Sequence, residues 1–125
     1  MKPILLFVVL LLTAICYSQD TASVTINSVS HSIYKGQSAS LGYGSNPYGS
    51  FMYILNNDGS SLEQKYARQD ITIGKVKLFK RLGYYRIHIK GRFGWAHFDV
   101  QTTGVCPAIE KKEVLGVEGV LFFEN

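Results

Sequence analysis

Cysteine, proline and long apolar runs are scarce in this 125-residue chain, and each scarcity excludes a class of protein. There are two cysteines, Cys16 and Cys106, so no cysteine cluster completes a tetrahedral metal set. The three prolines, Pro3, Pro47 and Pro107, lie far apart, and no low-complexity linker or internal repeat joins them. No asparagine has Ser or Thr two places on, and Asn46 also precedes Pro47, so N-glycosylation is not expected. The glycines sit at turns and none opens a helix as a phosphate loop would, and no nucleophile elbow accompanies the serines. These absences argue against an enzyme and against a cofactor.

One apolar run stands out, Ile4 to Leu12, too short for the roughly 20 residues of a membrane span. Lys2 precedes it, and Cys16 and Ser18 place small residues at the −3 and −1 positions of a cleavage site. Residues 1–18 therefore read as a secretory signal peptide, with the mature chain beginning at Gln19 and acting outside the cell. No later stretch is long enough to span a membrane. Loss of Cys16 with the signal leaves Cys106 without a partner in its own chain. That implies either an intermolecular bond, such as a disulfide-linked dimer, or a thiol protected by burial.

The net charge of +4 hides a segregation. Lys65, Arg68, Lys75, Lys77, Lys80, Arg81, Arg86, Lys90 and Arg92 share their stretch with a single acid, Asp70, whereas the chain beyond Cys106 is mainly acidic. Such asymmetry speaks to partners more than to fold.

Aromatic residues make up 13% of the chain, there are twelve glycines, and no long helical periodicity is present, which favours an all-β domain. Strands are expected within 22–34, over 37–43, over 51–55 and from Ile71 to Leu78. The clearest alternation follows: Tyr85, Ile87 and Ile89 against Arg86, His88 and Lys90, then Ala96, Phe98 and Val100 against Trp95, His97 and Asp99. Lys35–Gly36, Asn57–Asp58–Gly59 and Gly91–Gly94 read as turns. The expected organisation is a signal peptide (1–18), a two-sheet antiparallel β-sandwich (19–103) and a short C-terminal extension (104–125). In the extension, Pro107 opens a short helix, or residues 119–123 form a strand, and the segment covers an open sheet edge.

Gly83, Tyr85, Ile87, Ile89 and the Gly91–Gly94 turn resemble the second-cysteine strand of an immunoglobulin domain, with Ile87 at the cysteine position. Gly36, Leu41 and Tyr43 are similar to that family's early strand, with Tyr43 at its cysteine. The resemblance spans about residues 22–101 and implies an immunoglobulin-like sandwich without its disulfide, with Tyr43 and Ile87 facing each other and Tyr85 as the corner tyrosine. Fibronectin type III domains offer a second likeness. Both cysteines are missing, and Arg81 stands where the family usually has an acid.

If Ile87 and Phe98 point inward, Arg86, His88, Lys90, Trp95 and His97 point outward, joined by Met52 and Ile54 from the neighbouring strand and by Arg92 at the turn. Exposed Trp and Arg are common interface anchors, and in immunoglobulin-like domains this sheet is often the recognition surface. The sequence thus points to a secreted binding module for an extracellular protein. The alternative is a basic polyanion binder or defence protein, in which Lys75, Lys77, Lys80, Arg81, Arg86, Lys90 and Arg92 engage sulfated glycan, anionic lipid or a microbial surface. Nucleic acid is not the expected partner. His88 and His97 would be cross-strand neighbours, but nothing completes a metal site around them.

Overall fold

The computed structural model describes residues 20–123, so the signal-peptide reading of residues 1–18 and the cleavage before Gln19 lie outside the described residues. Strand accounts for 47% of the described residues and helix for 7%, which makes the fold all-β as the composition implies. The strands are β1 (Ala22–Ile26), β2 (Val29–Ile33), β3 (Ser38–Leu41), β4 (Leu55–Asn56), β5 (Asp70–Phe79), β6 (Tyr84–Gly91), β7 (Gly94–Gln101), β8 (Val114–Val117) and β9 (Val120–Leu121). A single turn of 3-10 helix covers Gln64–Tyr66, and one short helix, α1, covers Pro107–Glu110. No helix among the described residues is long and apolar enough to cross a membrane.

Two antiparallel sheets result. β1 and β2 form a hairpin of their own, and the other strands form a seven-stranded sheet in the order β4-β7-β6-β5-β3-β8-β9. The hairpin turns its buried side chains Ala22, Val24, Ile26 and Ile33 onto the inner face of the large sheet. That face supplies Ala39, Leu41, Ile71, Ile73, Val76, Ile87, Ile89, Ala96, Phe98 and Val100. The alternation read in β6 and β7 is realised in full, because Ile87 pairs with Phe98 and Ile89 with Ala96, all of them inward. Gly94, at φ +88°, closes the hairpin between these strands, a backbone angle that favours glycine.

The strand expected over 51–55 shrinks to Leu55–Asn56, and its cause is a buried acid. Glu113 is fully buried, and its carboxylate accepts hydrogen bonds from Ser45 N–H (2.8 Å), Ser45 Oγ (2.7 Å), Met52 N–H (2.7 Å) and Tyr53 N–H (2.8 Å). Two backbone donors that a strand ladder would use are thereby spent on a side chain. Phe51 N–H donates to Leu62 O and Leu62 N–H to Ile54 O, so the chain turns and brings both Phe51 and Ile54 into the core. The outward position expected for Ile54 is therefore corrected: it is fully buried.

Tyr43 is corrected too. The chain leaves the sheet at Gly42, where a Cβ would overlap the carbonyl of Lys112. Tyr43 emerges 64% exposed beside the Arg68 guanidinium, 5.7 Å from the ring centroid, and does not face Ile87. The C-terminal segment covers an open sheet edge, as expected. β8 pairs with the free edge of β3, β9 pairs with β8, and Ala108 and Ile109 of α1 are buried, so residues 104–123 complete the sheet and core. Both alternatives for this segment, helix and strand, are realised in sequence.

Cys106 is 1% exposed, and burial pushes its thiol up to about 12. Of the two alternatives, this fold holds the protected thiol; an intermolecular bond through Cys106, including a disulfide-linked dimer, would require this part of the core to open. Thiol-specific reagents at neutral pH should therefore leave the native protein unlabelled and label it one to one in denaturant. Labelling of the native protein at the denatured rate would contradict the burial. Glu113→Ala should cost at least about 3 kcal/mol in chemical denaturation, because three backbone donors lose their acceptor at about 1 kcal/mol or more each. Glu113→Gln, which keeps one acceptor oxygen, should fall between the two.

Candidate functional site

The candidate surface is the outer face of β5, β6 and β7, and a single extra residue in β5 determines its composition. Register shifts between Ile73 and Lys75: Ile73 lies opposite Ile89, whereas Lys75 lies opposite His88 and Lys77 opposite Arg86. Gly74 is the inserted residue of a β-bulge. Before it, odd-numbered Ile71 and Ile73 point inward; after it, Val76 does, and Lys75, Lys77 and Phe79 turn outward.

The pairing then gathers cations into two rows. Lys75 and Lys77 on β5 stand beside His88 and Arg86 on β6, with Lys90 one step further along β6. Cross-strand neighbours lie roughly 4.5–5.5 Å apart at Cβ, so these charges share one surface. Aromatic rings are set among them. Phe79 and Tyr84 stack at 5.1 Å between centroids. Lys77 Nζ lies 5.0 Å from the Phe79 centroid, and the Arg86 guanidinium is 5.7 Å from Phe79 and 5.5 Å from Tyr84. Lys90 Nζ is 5.7 Å from the ring of Trp95, directly opposite it on β7.

Asp99 is the acid of this face. Arg86 donates to it through Nε at 3.0 Å and Nη2 at 3.3 Å, a bidentate bond that raises the arginine's pKa. The other salt bridge among the described residues, Lys65 to Glu63, lies elsewhere. Lys75, Lys77 and Lys90 therefore meet no carboxylate within salt-bridge distance among the described residues.

His88 and His97 are the cross-strand pair the turn implies, with ring centroids 6.1 Å apart. Partial burial lowers the pKa of both. His88 is lowered further by His97, Lys75, Arg86 and Lys77; His97 is lowered further by Arg86 and partly restored by Asp99. No group of three or more His, Cys, Asp or Glu side chains that could hold a metal occurs among the described residues.

Of the residues singled out from sequence, Arg86, His88, Lys90, Trp95 and His97 share the face, and Arg92 is exposed at its β6–β7 turn. Met52 stays 44% exposed at the margin, in a hollow of about 560 Å³ shared with Tyr84 and Asp99. Ile54 and Cys106 are in the core. Sequence reasoning missed Phe79 and Tyr84. Tyr84 could have been found, since it continues the outward alternation of Arg86 and His88; Phe79 could not without the bulge.

Comparison of the chain with protein-family models, with curated proteins and with solved structures finds no match.

The histidine shifts set a pH window for stability. Each imidazole binds its proton less readily when folded than when unfolded, so unfolding takes up protons and stability falls as pH drops through about 6.5 toward the folded values. Below those values the two histidines contribute no further slope. Denaturation midpoints measured between pH 7.5 and 5 should show this loss, and the His88→Gln, His97→Gln double variant should flatten it. An unchanged slope in the double variant would assign the effect to other groups.

Proposed function

We propose that the chain is a secreted, immunoglobulin-like binding module that works without catalysis or cofactor. Its contact surface is the outer face of β5, β6 and β7, and its partner is a polyanionic extracellular surface. The observation that carries this reading is the pairing of Lys77 with Arg86, with Lys75 and Lys90 on the same face and its carboxylate, Asp99, already taken by Arg86. Cross-strand like charges repel, so an anionic partner that sits on these rows gains attraction and relieves repulsion together. The immunoglobulin resemblance supports the choice of this sheet through Tyr85, Ile87 and Ile89 of β6, whose inward packing leaves Arg86, His88 and Lys90 outward.

An extracellular protein partner is the second reading, favoured by the 43% exposure of Trp95. It loses one anchor with the burial of Ile54. Salt separates the readings, because attraction between exposed charges weakens as the screening length falls.

Heparin-affinity chromatography of the secreted protein tests the proposal. Wild type should elute well above about 0.15 M salt, and the Lys77→Glu, Lys90→Glu double variant below it. Elution of both at the same low salt would overturn the polyanion reading and move the protein-binding one forward.

A further inference from the structure

Beside the cationic rows lies a groove that the extra residue of β5 creates. Its volume is about 540 Å³, within the roughly 300–1,000 Å³ of small-ligand clefts. Gly74 and Val76 line it on β5, Trp95 closes one side, and Lys35, Lys75 and Lys77 surround it. The glycine is required here: a Cβ at position 74 would overlap the six-membered ring of Trp95, so the indole reaches across β6 onto β5 only because that side chain is missing.

Lys35 arrives from outside the large sheet. The turn between β2 and β3 is tied to β5 at the bulge, where Gly36 N–H donates to Ile73 O and Ile73 N–H donates to Gln37 O, each at 2.8 Å. Asp20, the acid of the groove, accepts the Leu78 N–H at 2.8 Å, which holds its carboxylate against the β5 edge. The groove therefore combines a half-exposed indole wall, three ammonium groups and one anchored acceptor.

We infer that this groove is a subsite for one acidic sugar ring of a polysaccharide, a sulfated or uronic pyranose. A pyranose presents an apolar C–H face, which the indole can cover, and anionic substituents at its rim, which the lysines can meet. The Asp20 carboxylate supplies an acceptor for a ring hydroxyl. An acidic peptide would use the lysines but has no flat apolar ring for the indole. A bilayer headgroup would have to leave the membrane plane to enter a groove set between the β2–β3 turn and β5. The inference rests on the polyanion reading and names which part of a polyanion the groove takes.

Trp95 is the chain's one tryptophan, so its fluorescence reports the groove directly. The full mature chain would be titrated, at constant ionic strength, with a heparin-derived hexasaccharide, with poly-L-glutamate and with sodium sulfate. The hexasaccharide should shift Trp95 emission saturably, and the other two should not at equal charge concentration. Lys35→Gln, a change at an exposed turn away from the cationic rows, should weaken that titration about tenfold, the scale of one lost charge-assisted contact. Trp95→Phe should keep the wild-type elution salt on a heparin column, whereas Trp95→Ala should lower it without abolishing retention, with thermal melts confirming that both variants fold. Equal emission changes with poly-L-glutamate would replace the sugar with an acidic protein segment. A change with sodium sulfate alone would reduce the site to a simple anion site. Column retention of wild type with silent Trp95 emission would overturn the subsite and leave the wider face standing; no retention at all would overturn both.

Discussion

The insertion of Gly74 into β5 sets the relation between core and surface in this fold. A strand exposes alternate residues, and a shift of one residue exchanges its two faces. Without the bulge, Ile71 and Ile73 could still reach the core, but Val76 would point to water and Lys75 and Lys77 toward Ile87 and Ile89. Burying two unpaired ammonium groups in that cluster would cost far more than the bulge itself. The bulge absorbs the extra residue and so keeps Val76 in the core and the lysines outward, and because that residue is glycine no side chain blocks Trp95 and the indole lies across the sheet.

A second constraint comes from the far end of the chain. Glu113 lies just before β8, which pairs with β3, and its carboxylate collects donors from the loop that follows β3. Pairing of β8 and ordering of that loop are therefore coupled: the acid reaches Met52 and Tyr53 only when β8 is docked. Met52 at the margin of the cationic face is positioned by the same carboxylate. The C-terminal segment thus acts on the candidate site without lying on it.

Much of this was legible in the sequence where local pattern and tertiary burial agree. β6 and β7 each have one buried and one open face and a turn at Gly91–Gly94, so period-2 alternation placed Ile87, Phe98, Arg86, His88, Trp95 and His97 on the right sides. It misplaced Ile54 because Phe51–Leu55 is apolar at every position, and alternation carries no information when both phases are hydrophobic. Tyr43 was drawn inward by its likeness to a cysteine position, whereas the close approach at Gly42 sends the chain out of the sheet. The role of Glu113 left no sequence signal, since a lone acid in an acidic tail looks solvated. Phe79 and the groove depend on the bulge, whose trace is the change of phase from Ile71 and Ile73 to Val76.

Lysines on a strand have a use other than binding, because they discourage edge-to-edge aggregation. β5 stops pairing with β3 after Thr72, so Lys75 and Lys77 sit on such an edge. Edge protection does not account for β6, which lies between β5 and β7 and has no open edge, yet carries Arg86, His88 and Lys90 outward. Set directly against Lys77, Arg86 raises the cost of the native pairing and is relieved by Asp99, whereas Lys75, Lys77 and Lys90 meet no carboxylate within salt-bridge distance among the described residues. Sequences break a local rule of this kind mostly where function requires it. A partner that brings negative charge to the face lowers this repulsion, which is why the unrelieved rows of β5 and β6 favour a polyanion over a neutral apolar surface.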